Sequence, residues 1–200
     1  MLRFLGRDTW NLVRFGRSAP KACELLHVPT SQILGLSYQY KKFLGSREQS
    51  AYVTNDWLVE DKLLVNLDTL PKIRCCLLHW REGLSWDEAE AFNLKEYRRF
   101  EKRKIRKRLN NLDAVFDRVQ KDNTLIPQSR LNKKHFREYD GIRVNIDPQG
   151  RPIFVDGGTH RLAMAIALDL PMVPAMLGLI HRDGIAHLRR FRISNRPSVV

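Results

Sequence analysis

The sequence holds three cysteines in 200 residues, Cys23, Cys75 and Cys76, and none is in CxxC spacing. A disulfide framework or a zinc knuckle needs other spacings, so neither is expected, and the chain suits a reducing cytoplasm. HxxxH and HExxH pairs are missing, as are a serine nucleophile elbow, a Walker A loop and a GxGxxG fingerprint. The first twenty residues carry Arg3, Arg7, Arg14 and Arg17 but no continuous apolar core of the secretory kind. Between Leu162 and Ile180 the only charge is Asp169, but Pro171 and Pro174 break that run into a helix pattern and a strand pattern. No membrane span is expected. Acidic residues are scarce: 22 Asp and Glu face 35 Lys and Arg, a formal net charge of +13 that favours polyanions or anionic small molecules as partners.

What is present is an ordinary globular mix, 43% hydrophobic and 28% charged, which excludes wholesale disorder. No internal repeat is visible. Residues 1 to about 80 carry the weakest patterns, with helical periodicity expected over Pro20–Leu26 and again over Ser31–Leu44. Cys75 and Cys76, beside Leu77 and Leu78, read as small buried hydrophobes. In WREGLSWDEAEAF, Ser85 and Glu88 form a capping-box pattern that predicts a helix from Trp86. The stretch GLSWDEAEAFNLKEYRRF has a helix-turn-helix outline but no turn glycine.

From Lys95 to Arg108 nine basic residues face only Glu96 and Glu101, a local net charge of +7. Downstream, Ile105, Leu109, Leu112, Phe116 and Val119 recur at helical spacing and predict one apolar stripe with the cations on the other faces. Arg98, Arg99, Lys102, Arg103 and Arg106 could track a phosphate backbone while Tyr97 and Phe100 stack on bases; a solvated cationic face is the other reading of the same residues.

Beyond Pro127 the pattern changes to alternation and turns. A boundary is therefore placed at 124, with a helical, basic region over 1–124 and a mixed-sheet domain over 125–200, an α+β arrangement. GIRVNID and PIFVD flank the turn PQGR and predict a hairpin. The stretch GGTHRLAMAIAL then enters a helix that buries Leu162, Ala163, Ile166 and Ala167, and Val173–His181 reads as a further strand.

The junction FVDGGTHR delivers Asp156 and two glycines onto a helix amino terminus. Amides there lack intrahelical partners, and glycine admits an anion close to the backbone. Gly157, Gly158 and Thr159 are thus candidates to cradle phosphate. His160 and Arg161 would neutralise its charge, and Asp156 would hold a metal ion or accept a proton. A plain strand-to-helix turn, capped by Asp156 and Thr159 with His160 and Arg161 in solvent, accounts for the same residues. His181 and His187, beside Arg182 and Asp183, read either as a site edge or as structural.

From Leu125 to His187, and above all in GIRVNIDPQGRPIFVDGGTHRLAMAIALDLPMVPAML, the sequence resembles the ParB/sulfiredoxin-like fold family. With WREGLSW and the basic helix ahead of it, the arrangement looks like ParB-like proteins of bacteria and phages. The resemblance implies a nucleotide-binding role for Gly157, Gly158, Thr159, His160 and Arg161, with ATP or CTP and Mg2+ as cofactors and phosphoryl transfer as the reaction. Asp156 and His160 would be catalytic, Asp156 also the metal ligand, and Glu138 or Asp140 the upstream acid of the kinase members. Thr159 stands where sulfiredoxins have cysteine, which argues against sulfinic-acid repair. No helix-turn-helix domain follows the fold, which argues against classical partition. The alternative is a DNA- or RNA-binding ParB-like protein, or a weak nuclease, working through the basic helix.

Overall fold

Strand pairing across the whole chain, rather than any single segment, sets the architecture. The computed structural model describes residues 1–36, 46–57, 59–95 and 97–192. Its elements are α1 (Leu2–Phe15), β1 (Leu25–Pro29), β2 (Leu34–Leu36), β3 (Val53–Thr54), β4 (Leu64–Val65), α2 (Pro71–Trp80), α3 (Lys102–Asp122), α4 (Gln128–Leu131), β5 (Ile142–Ile146), β6 (Pro152–Asp156), α5 (Thr159–Ala167) and β7 (Met172–His181). A run of 3-10 helix, Asp183–Phe191, follows. The fold is α+β, with one seven-stranded mixed sheet ordered β1-β7-β5-β6-β2-β4 and β3 also paired to β7.

The predicted hairpin, corner helix and following strand are present as β5, β6, α5 and β7, and the 162–180 run divides between α5 and β7. Among the described residues no helix is long and apolar enough to cross a membrane. In β5 the alternation works as expected, with Ile142, Val144 and Ile146 entering the core. Their polar neighbours are buried as well. The β5–β7 register shifts between Val144 and Ile146, and Asn145 Oδ1 accepts the Leu179 amide at 2.8 Å, so its side chain supplies a rung of the ladder there. β6 divides its faces: Phe154 joins the main core, while Ile153 and Val155 meet Leu36 and Leu63 in a smaller cluster.

Residues before 124 behave differently from the helical reading. Pro20–Leu26 is a turn leading into β1, and Ser31–Leu36 is a 3-10 turn followed by β2; positions 37–44 of the second predicted helix lie outside the described residues. The sheet takes β1 to β4 from before residue 124 and β5 to β7 from after it. β1 pairs with β7 and β2 with β6, so long-range pairing overrides weak local periodicity. The Ser85–Glu88 capping box does form, with the Ser85 amide donating to Glu88 Oε2 at 2.8 Å and the Glu88 amide to Ser85 Oγ at 3.2 Å. No α-helix extends from Trp86, because Glu90 turns left-handed at φ 58° and the chain continues as a 3-10 turn over Ala91–Asn93. That removes the helix-turn-helix outline.

α3 matches its predicted stripe: Ile105, Leu109, Phe116 and Val119 are buried and Leu112 is partly so. Each buried side chain of this size contributes roughly 1.5–3 kcal/mol. The WREGLSW segment is tied to α3 by one carboxylate. Asp113 Oδ1 accepts from Trp80 Nε1 at 3.0 Å and meets His79 Nε2 at 3.1 Å, and Oδ2 accepts from Trp86 Nε1 at 3.0 Å. The rings stack around it, His79 on Trp86 at 3.9 Å and Trp80 on Phe116 at 4.7 Å.

Asp113→Asn keeps the shape of this hub but puts an NH2 where one indole N–H needs an acceptor. We expect a loss of about 1–3 kcal/mol, seen as a lower urea midpoint at unchanged m-value; an unmoved midpoint would show that the hub contributes nothing. All three cysteines are buried, and burial pushes the thiols of Cys23 and Cys75 up to about 11 and that of Cys76 higher still. Ellman's reagent should therefore modify none of them in the folded protein at mildly alkaline pH and all of them in denaturant.

Candidate functional site

The corner between β6 and α5 is built by close backbone approach. Gly157 and Gly158 have φ of 78° and 63°, a left-handed pair that turns the strand into the helix. A Cβ on Gly158 would lie 2.7 Å from both N and Cα of Ile142. β5 and the start of α5 therefore touch through backbone alone. Gly158 is the residue that precedes the helix and offers no side chain as a cap, and Thr159 is the first helical residue. Thr159 thus does not act as the cap. The Gly157 amide donates to Asp156 Oδ1 at 2.5 Å, so Asp156 steadies the turn with one oxygen. Its side chain is 62% exposed.

The side chains expected to neutralise an anion point elsewhere. His160 Nε2 is hydrogen-bonded to Tyr97 Oη at 3.2 Å. Tyr97 is buried, with Lys72 and Arg108 each 5.8 Å from its ring centre, so it links the basic segment to α5 and is not a platform for bases. Arg161 turns inward, and its guanidinium donates to the Ile126 carbonyl. Burial lowers its pKa, and the charge of Glu138 opposes that shift. Glu138 is fully buried. Its carboxylate accepts from the Gln128 amide at 2.8 Å, the Ser129 amide at 3.1 Å and Ser129 Oγ at 3.0 Å. These bonds cap α4, so Glu138 serves the link between α3 and β5 and is not gathered with Asp156.

Two arginines that the sequence reading did not single out lie at the corner. Arg143 lies opposite Asp156 in the β5–β6 hairpin, and its guanidinium nitrogen is 3.9 Å from Asp156 Oδ2. Burial lowers its pKa, and Asp156 works against that. Arg47 lies over Gly157, where an added Cβ would meet its Nη2 at 3.5 Å, and it is ion-paired with Asp140. His135 Nε2 approaches the other Asp140 oxygen at 3.8 Å. Glu48 is close enough to act on the charge of both arginines, and its carboxyl is held below the usual range mainly by hydrogen bonds from its own backbone and Ser46. Regular hairpin register would set Arg143 against Val155; a bulge between Arg143 and Val144 brings it against Asp156 instead, which the spacing of the sequence did not signal. For Arg47 the Ser46–Gln49 capping box was the only local mark.

Among the described residues the corner holds the guanidiniums of Arg47 and Arg143 and the carboxylates of Glu48, Asp140 and Asp156. Among the described residues no three His, Cys, Asp or Glu side chains gather as a metal site. A hard cation that takes one carboxylate and completes its shell with phosphate oxygens and water fits the exposed Asp156, and Mg2+ is of this kind. His181 is buried, its Nε2 meets the Asn55 carbonyl at 3.0 Å, and its Nδ1 accepts the Asp183 amide at 3.2 Å, whereas His187 is exposed. A cavity of about 860 Å3 lies at the other end of α5, between Arg74 and Arg81 of the α2 side and Asp169–Pro171. It is not lined by the corner. No protein-family model, curated protein or solved structure matches the chain.

Gly158→Ala should destabilise the protein by roughly 1–3 kcal/mol, because the methyl group meets the Ile142 backbone and the left-handed φ is unfavourable for alanine. A thermal melt checks this, and an unchanged Tm would mean that α5 can shift off β5.

Proposed function

We propose that the chain binds the phosphate groups of a nucleotide, ATP or CTP, at the 156–161 corner together with Mg2+, and that this arrangement serves phosphoryl transfer. The observation that carries the reading is the joint position of the left-handed Gly157–Gly158 turn at the start of α5, Arg47 over Gly157, and Arg143 beside the exposed Asp156. Backbone amides and guanidiniums are the donors a phosphate needs. Asp156 would hold the metal ion, which when bound supplies the positive charge that the carboxylates around it otherwise cancel. Arg47 would exchange its pairing with Asp140 for phosphate oxygens, and Arg143 would orient Asp156. His160 and Arg161 support this layout from beneath, through Tyr97 and the Ile126 carbonyl.

Isothermal titration with ATP, CTP and GTP, each with and without Mg2+, tests it. Binding is expected only with Mg2+, and Arg47→Ala should weaken it about tenfold or more, the scale of one charge-assisted hydrogen bond. Absence of heat with all three nucleotides in Mg2+ would end the proposal.

A second reading, nucleic-acid binding by the basic segment, is favoured by one separate observation. Arg98, Arg99, Lys102, Arg103 and Arg106 are all exposed, and the first turn of α3 contains no acidic residue. Cations at that end oppose the helix dipole, an arrangement that solubility does not require. Arg106 is shared with Asp87 at 3.2 Å. Binding of a duplex oligonucleotide with a steep salt dependence, reduced by Arg103→Glu and unaffected by Arg47→Ala, is the expected result; a flat salt dependence would exclude this reading.

A further inference from the structure

Helix α1 is mounted inside out. Its inward face is largely polar: Arg7 donates to the carbonyls of Glu48 and Ser50, Asp8 accepts the Ala22 amide at 2.7 Å and pairs with Arg137 at 2.7 Å, and the buried Asn11 donates to the carbonyls of Pro20 at 2.9 Å and Ala51 at 3.0 Å. Phe4 adds one stacked ring, 5.3 Å from Phe136. Leu2, Leu5, Leu12 and Val13 point the other way, and Leu2, Leu12 and Val13 are 85%, 58% and 79% exposed. At 100° per residue these four share one sector about 100° wide, centred about 130° away from Phe4, Asn11 and Phe15, and form one ridge. Among the described residues, six of the eleven large apolar side chains that are exposed lie between Met1 and Val13. A helix that lies on a core normally does the reverse, so the ridge has a use outside the fold.

What lies beside the ridge identifies its partner. Arg3, Arg7 and Arg14 line a recess of about 520 Å3 together with Trp10 and Tyr52, and the Arg14 guanidinium sits 5.5 Å from the Trp10 ring centre. Cations and an amphipathic indole next to exposed leucines are the components of a helix that lies in a bilayer interface. The helix has 14 residues, about 21 Å of length, too short to span, and its polar anchors hold it along the protein surface. A second copy of the chain would bring the same arginines and a second formal charge of +13 against it. A surface of anionic phospholipid offers opposite charge and an apolar layer together. We propose that α1 docks the protein onto an anionic phospholipid membrane, with the Leu2, Leu5, Leu12 and Val13 ridge in the acyl boundary and the arginine recess on headgroup phosphates.

The test is co-sedimentation of the full chain with phosphatidylcholine vesicles, with and without phosphatidylglycerol. Wild type should pellet only with the phosphatidylglycerol vesicles, with a blue shift in tryptophan emission that Trp10→Phe removes. Leu12→Asp with Val13→Asp changes only exposed positions, so circular dichroism and Tm should hold while vesicle affinity falls about tenfold or more. Arg14→Glu should weaken pelleting as well. Wild type that stays in the supernatant overturns the proposal. So does a double variant that pellets as well as wild type, since attraction would then come from net charge alone. A concentration-dependent dimer that Leu12→Asp dissolves, without vesicle binding, would give the ridge to a second copy and overturn it equally.

Discussion

The approach of α5 to β5 is the contact on which the rest of the carboxy-terminal half depends. It exists because Gly158 has no side chain and adopts a left-handed backbone, which brings a helix start within van der Waals reach of the Ile142 backbone. From that one contact follow the descent of α5 onto the sheet, the burial of Leu162, Ala163, Met164 and Ala165, and the return of the chain as β7 beside β5. The bulged β5–β6 hairpin completes that corner by setting Asp156 against Arg143, thirteen positions earlier in the chain.

The carboxy-terminal unit was legible because its signals are local. Strict alternation in Ile142, Val144 and Ile146, a turn at PQGR, two glycines before an alanine-rich helix and a proline after it each specify a conformation within a few residues. The amino-terminal strands gave no such signal. β2, β3 and β4 are two or three residues long, and each is defined by a partner far away in sequence, as when Leu34 pairs with Ile153 or Val53 with Ile180. Helical spacing in Pro20–Leu26 had nothing to oppose it until β7 was known to run alongside.

The site was legible in its backbone and only partly in its side chains. The sequence placed Asp156 and the glycines correctly at a helix start, since residue type and order suffice for that. It could not say where His160 and Arg161 would point, because their partners, Tyr97 and the Ile126 carbonyl, come from segments 63 and 35 positions earlier. Glu138 looked like a spare acid by position, whereas its bonds to Gln128 and Ser129 make it the cap of a one-turn helix ten residues upstream. Tyr97 shows the same limit from another side: an aromatic among cations resembles a stacking surface until its burial is known.

The charges of α3 have a consequence for its own order. Lys102, Arg103, Lys104, Arg106, Lys107 and Arg108 crowd the end of the helix where the peptide dipoles are already positive, with Glu101 before them and Asp87 paired to Arg106. Mutual repulsion and the dipole both act to fray these opening turns, while Ile105 and Leu109 hold them to the core. Any polyanion that settles on this end relieves the repulsion and tightens the coil in the same step. Affinity and local rigidity at residues 102–108 are thus thermodynamically linked, and one cannot be altered there without altering the other.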